Sequence, residues 1–212
     1  MSKDAVVATR GVVLTYGKLG EDRIFKTYFS SCCGGLGQNP VDAFITDPPL
    51  GPLEEKNAGG LCQLSPRYSW GPVTISKAEL SRRIRVWGQR RSRPEGGIAS
   101  VRSVTASHIN RLGRPVRYLV TDSAGARYSL AAEELRTAIN TDANGAGGGR
   151  TVYSGWMSVV DAGGGNFAIT GRGSGHAVGM CQFCAEALAL KGWRHEDILR
   201  YSYPGAQLVR GY

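Results

Sequence analysis

Between residues 101 and 130 the chain runs "VRSVTASHI", "PVRYLVTD" and "ARYSL", three alternating apolar and polar stretches separated only by "NRLGR" and "SAG". Alternation puts every second side chain on one face of a strand, and connectors this short leave no room for a crossover helix. Successive strands must therefore run antiparallel. That excludes a doubly wound parallel sheet over this region. The same grammar recurs in "WMSVVDA" and "NFAITG", joined by Gly163-Gly164-Gly165.

Helices punctuate the strands. Ser76 and Glu79 form a capping box, Leu80, Ile84 and Trp87 share a face, and Gly88 stands where a left-handed residue would end the helix. "AAEELRTAIN" places Leu135 and Ile139 inward, while Gly179 to Leu190 and "HEDILRYSY" read as two further helices stopped by Gly192 and Pro204. Runs of strands followed by helices give an α+β class, with antiparallel strands, hairpins and a few short helices in one domain over residues 1–212. The opening third reads as strands "AVVAT", "GVVLTY" and "RIFKTYFSS". Residues 34–70 are irregular, with prolines at 40, 48, 49, 52 and 66, and a loop of that length implies a function or a staple, for which Cys62 is available. "TDANGAGGG" reads as a loose loop and residues 88–98 as a flexible basic one.

The net charge of +9 rests on 20 Arg against 6 Lys, and ten arginines lie between Arg82 and Arg117 with Glu95 alone opposing them. Such a face attracts polyanions, whether nucleic acid or anionic polymers of a cell envelope; a solvated surface is the plainer reading. Trp87 is the single aromatic in "RRIRVWGQRRSRPEGG", too few for a stacking groove, so no specific nucleic acid is expected. No run of about 18 apolar residues occurs, so no membrane span is encoded. "MSKDAVVATRG" lacks the basic-then-apolar pattern of a secretory leader, and entry directly into a strand implies an upstream portion.

Five cysteines make an odd count, and adjacent Cys32 and Cys33 face opposite ways on a strand. Cys181-x-x-Cys184 admits three readings. A structural zinc needs four ligands, of which His176 and this pair supply three, with Cys32 or Cys33 required from elsewhere. A redox pair at a helix N-terminus would have lowered thiol pKa values. The preferred reading is packing as small hydrophobes or a structural disulfide, so neither metal nor cofactor is expected. Just upstream, "GRGSGHAVG" sets four glycines and His176 before a helix, where a ligand can approach backbone N–H groups and the helix's positive end. No Lys-Ser/Thr closes it and no βαβ unit frames it, so phosphate is not its client.

"GRGSGHAVGMCQFCAEALALKGWRHEDILRYSYPGAQL" resembles the C-terminal signature of the stage II sporulation protein D and amidase-enhancer family (SpoIID/LytB). The resemblance runs through Gly171, Gly173, Gly175, His176, Val178, Gly179, Met180, Gln182, Phe183, Gly192, Ile198, Leu199, Tyr203, Pro204 and Gly205. "TYFSSCCGG" is similar to the family's Tyr-x-Ser-Ser-Ser/Cys-Gly-Gly turn through Tyr28, Ser30, Ser31, Cys33, Gly34 and Gly35, and "EELRTAI" to a family Leu-Arg helix. Ala177 and Cys184 stand at family glycines, and Gly37 at a family threonine.

The resemblance implies an extracytoplasmic place in the cell envelope and one of two roles, lytic transglycosylase on peptidoglycan or enhancer of a cell-wall amidase. A transglycosylase needs one carboxyl of raised pKa, acting first as acid and then as base while the sugar's own 6-hydroxyl attacks. The family's glutamate belongs to a helix upstream of the strands with which this chain begins. Glu21, Glu54 and Glu55 lie in other contexts, so no catalytic residue is assigned. The expectation is the C-terminal part of such a domain, cleaving glycan when complete and silent alone; the alternative is a non-catalytic cell-wall-binding module or amidase enhancer. An arginine-rich nucleic-acid binder stands third. The implied partners are peptidoglycan glycan strands and a cell-wall amidase.

The resemblance places substrate binding on His176, Gln182, Ser30, Ser31, Tyr28, Gly175 and Gly179. His176 would bond sugar hydroxyls, or else tie the glycine loop to backbone carbonyls. Ser30 and Ser31 would meet glycan hydroxyls or satisfy local backbone. Tyr28 and Tyr203 would wall a groove or fill the core, and Gln182 would contact an N-acetyl group or cap its own loop.

Overall fold

The computed structural model describes residues 2–17, 23–44, 47–142 and 151–211. In chain order it comprises α1 (Ser2–Ala8), β1 (Val12–Tyr16), β2 (Arg23–Ile24), β3 (Phe29–Ser30), α2 (Pro40–Ala43), a 3-10 turn at Gly51–Leu53, β4 (Ser69–Ser76), α3 (Lys77–Gln89) and a second 3-10 turn at Pro94–Gly97. There follow β5 (Val101–Ile109), β6 (Pro115–Asp122), β7 (Arg127–Ala131), α4 (Ala132–Ile139), β8 (Met157–Gly163), β9 (Asn166–Arg172), β10 (Met180–Cys181), α5 (Gln182–Leu190), α6 (His195–Ser202) and β11 (Gln207–Arg210). The class is α+β. Three sheets have the orders β11-β1-β2, β4-β9-β8 and β5-β6-β7, all with antiparallel neighbours, and a parallel pair joins β10 to β3.

The meander forms β5, β6 and β7 where the alternation places them, and the triple-glycine hairpin forms β8 and β9. Their inner faces meet α3 and α4, burying Ile75, Leu80, Ile84, Tyr118, Leu135 and Ile139 among others in the largest core. Ser76 Oγ accepts from the Glu79 N–H at 3.1 Å, the expected cap of α3. Two smaller apolar clusters lie beside this core. One gathers Cys32, Cys33, Cys62, Cys181 and Cys184 with Ala58 and Ala177; the other holds Ala43, Leu53, Val178 and Tyr203.

Several expectations change. "AVVAT" is not a strand: its first four residues lie in α1, where Val6 and Val7 remain exposed. "RIFKTYFSS" is broken into β2 and β3, which join different sheets. Gly88 does not stop α3, which runs on to Gln89. The helix continues because Gly88 is a contact point: a Cβ there would overlap the Gly96 backbone nitrogen. Helix α5 begins at Gln182, later than Gly179, because Met180 and Cys181 are spent pairing with Phe29 and Ser30. Residues 88–98 include the second 3-10 turn, with Glu95 and Ile98 buried. Glu21 and residues 143–149 of "TDANGAGGG" lie outside the described residues.

Candidate functional site

The two sequence blocks that carry the resemblance come together. β3 and β10 pair in parallel through Met180 with Phe29 and Cys181 with Ser30, and Cys32 bridges Ser174 in both directions, N–H to carbonyl, at 3.0 and 2.7 Å. Glycine makes this approach possible. Gly179 has φ +69° and a Cβ on it would overlap the Tyr28 carbonyl; Gly175 has φ +94° and its Cβ would press on Ser30 Cβ at 2.9 Å. The amides of Gly173, Ser174 and Gly175 donate to the carbonyls of Tyr68, Cys32 and Tyr153. These three N–H groups are thus committed within the chain.

His176 sits at the centre of this face. Its Nδ1 accepts from the Val178 N–H at 3.1 Å, its carbonyl accepts from Gln38 Nε2 at 2.6 Å, and its ring meets Phe44 and Tyr28 edge-on with centroids 5.0 and 5.7 Å away. Burial lowers its pKa below the ordinary 6.5, so the ring is neutral at pH 7. Tyr28 stacks on Phe44 at 4.6 Å, lies under Lys26, and its hydroxyl donates to Asp47. Ser30 is buried with its hydroxyl unpartnered among the described residues, Ser31 is half-buried and accepts at its carbonyl from the Phe183 N–H, and Gln182 is exposed on the first turn of α5. Tyr203 is buried, and its hydroxyl donates to the Tyr28 carbonyl at 2.8 Å. Tyr203 is therefore a brace behind the face.

Phe44 and Gln38 are the members that sequence reasoning missed. Both lie in the irregular stretch, where no periodicity marks which side chains turn inward. Alongside the face, where β9 enters the glycine loop, an open cleft of about 820 Å³ is lined by Trp156, Ser69, Thr105, Ser158, Thr170 and Arg172 among others. The guanidinium of Arg172 packs on the Trp156 indole at 4.7 Å.

Directly beneath the face the Sγ atoms of Cys33, Cys62, Cys181 and Cys184 all lie within 4.8 Å of one another, and all four residues are buried. Cys33 Sγ stands 3.6 Å from Cys62 Sγ and 3.9 Å from Cys184 Sγ, and every cysteine is a free thiol. His176 is not in the group, and Cys32 turns away to the Cys62 carbonyl. Two cations adjoin it. Arg114, fully buried, donates to the carbonyls of Cys33 and Leu36 at 3.1 and 3.0 Å, and the Lys56 ammonium donates to the carbonyls of Tyr201 and Ser202. Burial pulls Lys56 down to about 8, against the thiols of Cys33, Cys184 and Cys181, which hold it up.

Much of the basic run is paired within the chain. Arg82 and Arg83 bond Glu79, Arg85 bonds the carbonyls of Ile98 and Ala99, Arg93 pairs with Glu95 and Glu134, and Arg114 lies in the interior. The expected polyanion face is correspondingly smaller than the sequence count implies. No helix among the described residues is long and apolar enough to cross a membrane.

No family model matches the chain. Along 97% of its length it is 24% identical to the amidase enhancer of Bacillus subtilis strain 168, of which it covers 32%. Along 98% it is 26% identical to an uncharacterized protein of Brachyspira hyodysenteriae, of which it covers 48%. The chain spans about a third and about half of the length of these curated relatives. Similarity to an amidase enhancer thus extends over nearly the whole chain, both halves of the His176 face included.

Proposed function

We propose that this chain is a cell-wall-directed domain of the amidase-enhancer kind, working outside the cytoplasm, which holds peptidoglycan glycan strands on the His176 face and in the adjoining cleft. The observation that carries this reading is the joining of segments 28–35 and 171–183, far apart in sequence, into one surface with a neutral imidazole and partly exposed aromatics. Sugars are bound in this way: apolar ring faces stack on aromatic planes such as Trp156, while hydroxyls and N-acetyl groups bond neutral polar groups such as Gln182. Beside the ring Asp47 accepts from the Tyr28 hydroxyl and pairs with Lys26 at 3.5 Å, which helps to hold the Tyr28 plane on this face.

Cosedimentation with purified peptidoglycan sacculi tests the proposal. The chain should pellet with sacculi, and His176→Ala and Trp156→Ala should each weaken binding about tenfold, near 1.4 kcal/mol. Retention on DNA should not exceed that on a non-nucleic polyanion at matched salt. Unchanged binding in both variants would overturn the assignment of the face. Release of anhydro-muropeptides from the sacculi would establish cleavage in place of binding alone.

A further inference from the structure

The four gathered thiols call for an explanation that the glycan face does not supply. Four buried sulfurs in mutual contact are a poor way to fill a core, because thiols pack as isolated small hydrophobes and gain little from facing one another. Two disulfides are a poor fit as well: bonded sulfurs stand about 2.05 Å apart, whereas here one sulfur, that of Cys33, lies at near-equal distances from two others. A single metal ion accounts for the spacing. Zinc–thiolate bonds of about 2.3 Å arranged as a tetrahedron put neighbouring sulfurs about 3.8 Å apart. The separations of Cys33 Sγ from Cys62 and Cys184, 3.6 and 3.9 Å, bracket that edge. An iron–sulfur cluster distributes its ligating sulfurs over several irons and needs a wider cage than 4.8 Å.

We propose that Cys33, Cys62, Cys181 and Cys184 bind one zinc ion as a closed, tetrathiolate structural centre beneath the glycine loop. The surroundings are those of a thiolate site. The N–H groups of Cys33 and Cys184 both donate to Cys181 Sγ, at 3.3 and 3.4 Å, and Cys181 caps the nine-residue α5, whose positive end favours negative sulfur. Four thiolates on Zn²⁺ carry a net charge of about −2. The Arg114 guanidinium and the Lys56 ammonium stand beside the group as its counter-charges, and Nε and Nη2 of the buried Arg114 have no hydrogen-bond partner among the described residues. All four ligands are protein side chains and buried, leaving no open coordination position for catalysis. Zinc, which is redox-inert and indifferent to geometry beyond the tetrahedron, suits such a site better than a redox metal. The centre ties the turn at Cys33, the irregular loop at Cys62 and the start of α5 into one knot. This inference does not depend on what the face binds.

The test is metal analysis of the chain purified under reducing conditions without chelator, backed by cobalt substitution. The expected result is about one zinc per chain, and for the cobalt form the sulfur-to-metal charge-transfer and d–d bands of tetrahedral thiolate coordination. Cys62→Ser should lose the zinc, while Cys32→Ser, altered next door but outside the ligand set, should keep it. Chelation should lower Tm by about 10 °C, restored by zinc and not by magnesium. If Cys62→Ser does not fold, the stoichiometry and cobalt spectrum of the unaltered chain still decide. Less than about a tenth of a zinc per chain after reconstitution, with Tm indifferent to zinc, would overturn the proposal. So would iron in place of zinc, or disulfides mapped among these four cysteines in freshly reduced, zinc-supplied protein.

Discussion

His176 illustrates what one residue's surroundings do to its chemistry. Free in the unfolded chain its imidazole titrates near 6.5, and burial in the fold lowers that value. As pH falls below about 6.5 the unfolded chain takes up the proton first, so this residue's contribution to stability is complete above that pH. The contribution is lost progressively until the folded-state pKa is passed. Urea-unfolding midpoints measured between about pH 8 and 5 should therefore fall more steeply for the natural chain than for His176→Gln. Parallel slopes would mean that the ring is solvated after all. The histidine, like Gln182 and the Cys-x-x-Cys spacing, was legible because its signal is local. Phe44, which clamps the ring, was not, and Cys62 was marked as a staple for its loop but not as the thiol that completes the group. They arrive from an irregular stretch by tertiary contact, and nothing in the periodicity of a loop says which of its side chains turns inward.

At the scale of elements, pattern reading succeeds where a segment answers to one partner and fails where it answers to two. The meander β5, β6 and β7 and the hairpin of β8 and β9 need only their own turns, and their alternation located them. "AVVAT" has strand-like residues, yet its valines pair with no strand and coil into α1. Gly88 is the sharper case, since as a helix signal it means stop and as a packing signal it means contact. Alanine in a helix interior normally gains about 1 kcal/mol over glycine. Here Gly88→Ala should instead destabilise by about 2 kcal/mol, because its methyl group drives the 3-10 turn at Gly96 away from α3. Gly97→Ala, whose Cβ would meet open space, should be close to neutral. Denaturant titration of the pair checks the contrast.

Across the whole molecule, Arg114 is the residue that joins parts. It stands at the head of β6 and reaches into the cysteine cluster, with its guanidinium 5.4 Å from the Trp156 ring centroid. Arg114→Met would leave the carbonyls of Cys33 and Leu36 without their donor and should cost about 3 kcal/mol. The loss should also show as broadened, less cooperative unfolding when calorimetry is compared with fluorescence, because the larger core would no longer be tied to the cysteine cluster. A single sharp transition of unchanged breadth would place the tie elsewhere. The pairing of β3 with β10 bears on how such a molecule is made. Phe29 meets Met180 across about 150 residues of intervening chain, and β1 likewise awaits β11. Contacts that distant close late, after the local hairpins and helices have formed. On the ribosome the central layers can therefore assemble first, while the surface built on β3 and β10 waits until β10 has emerged.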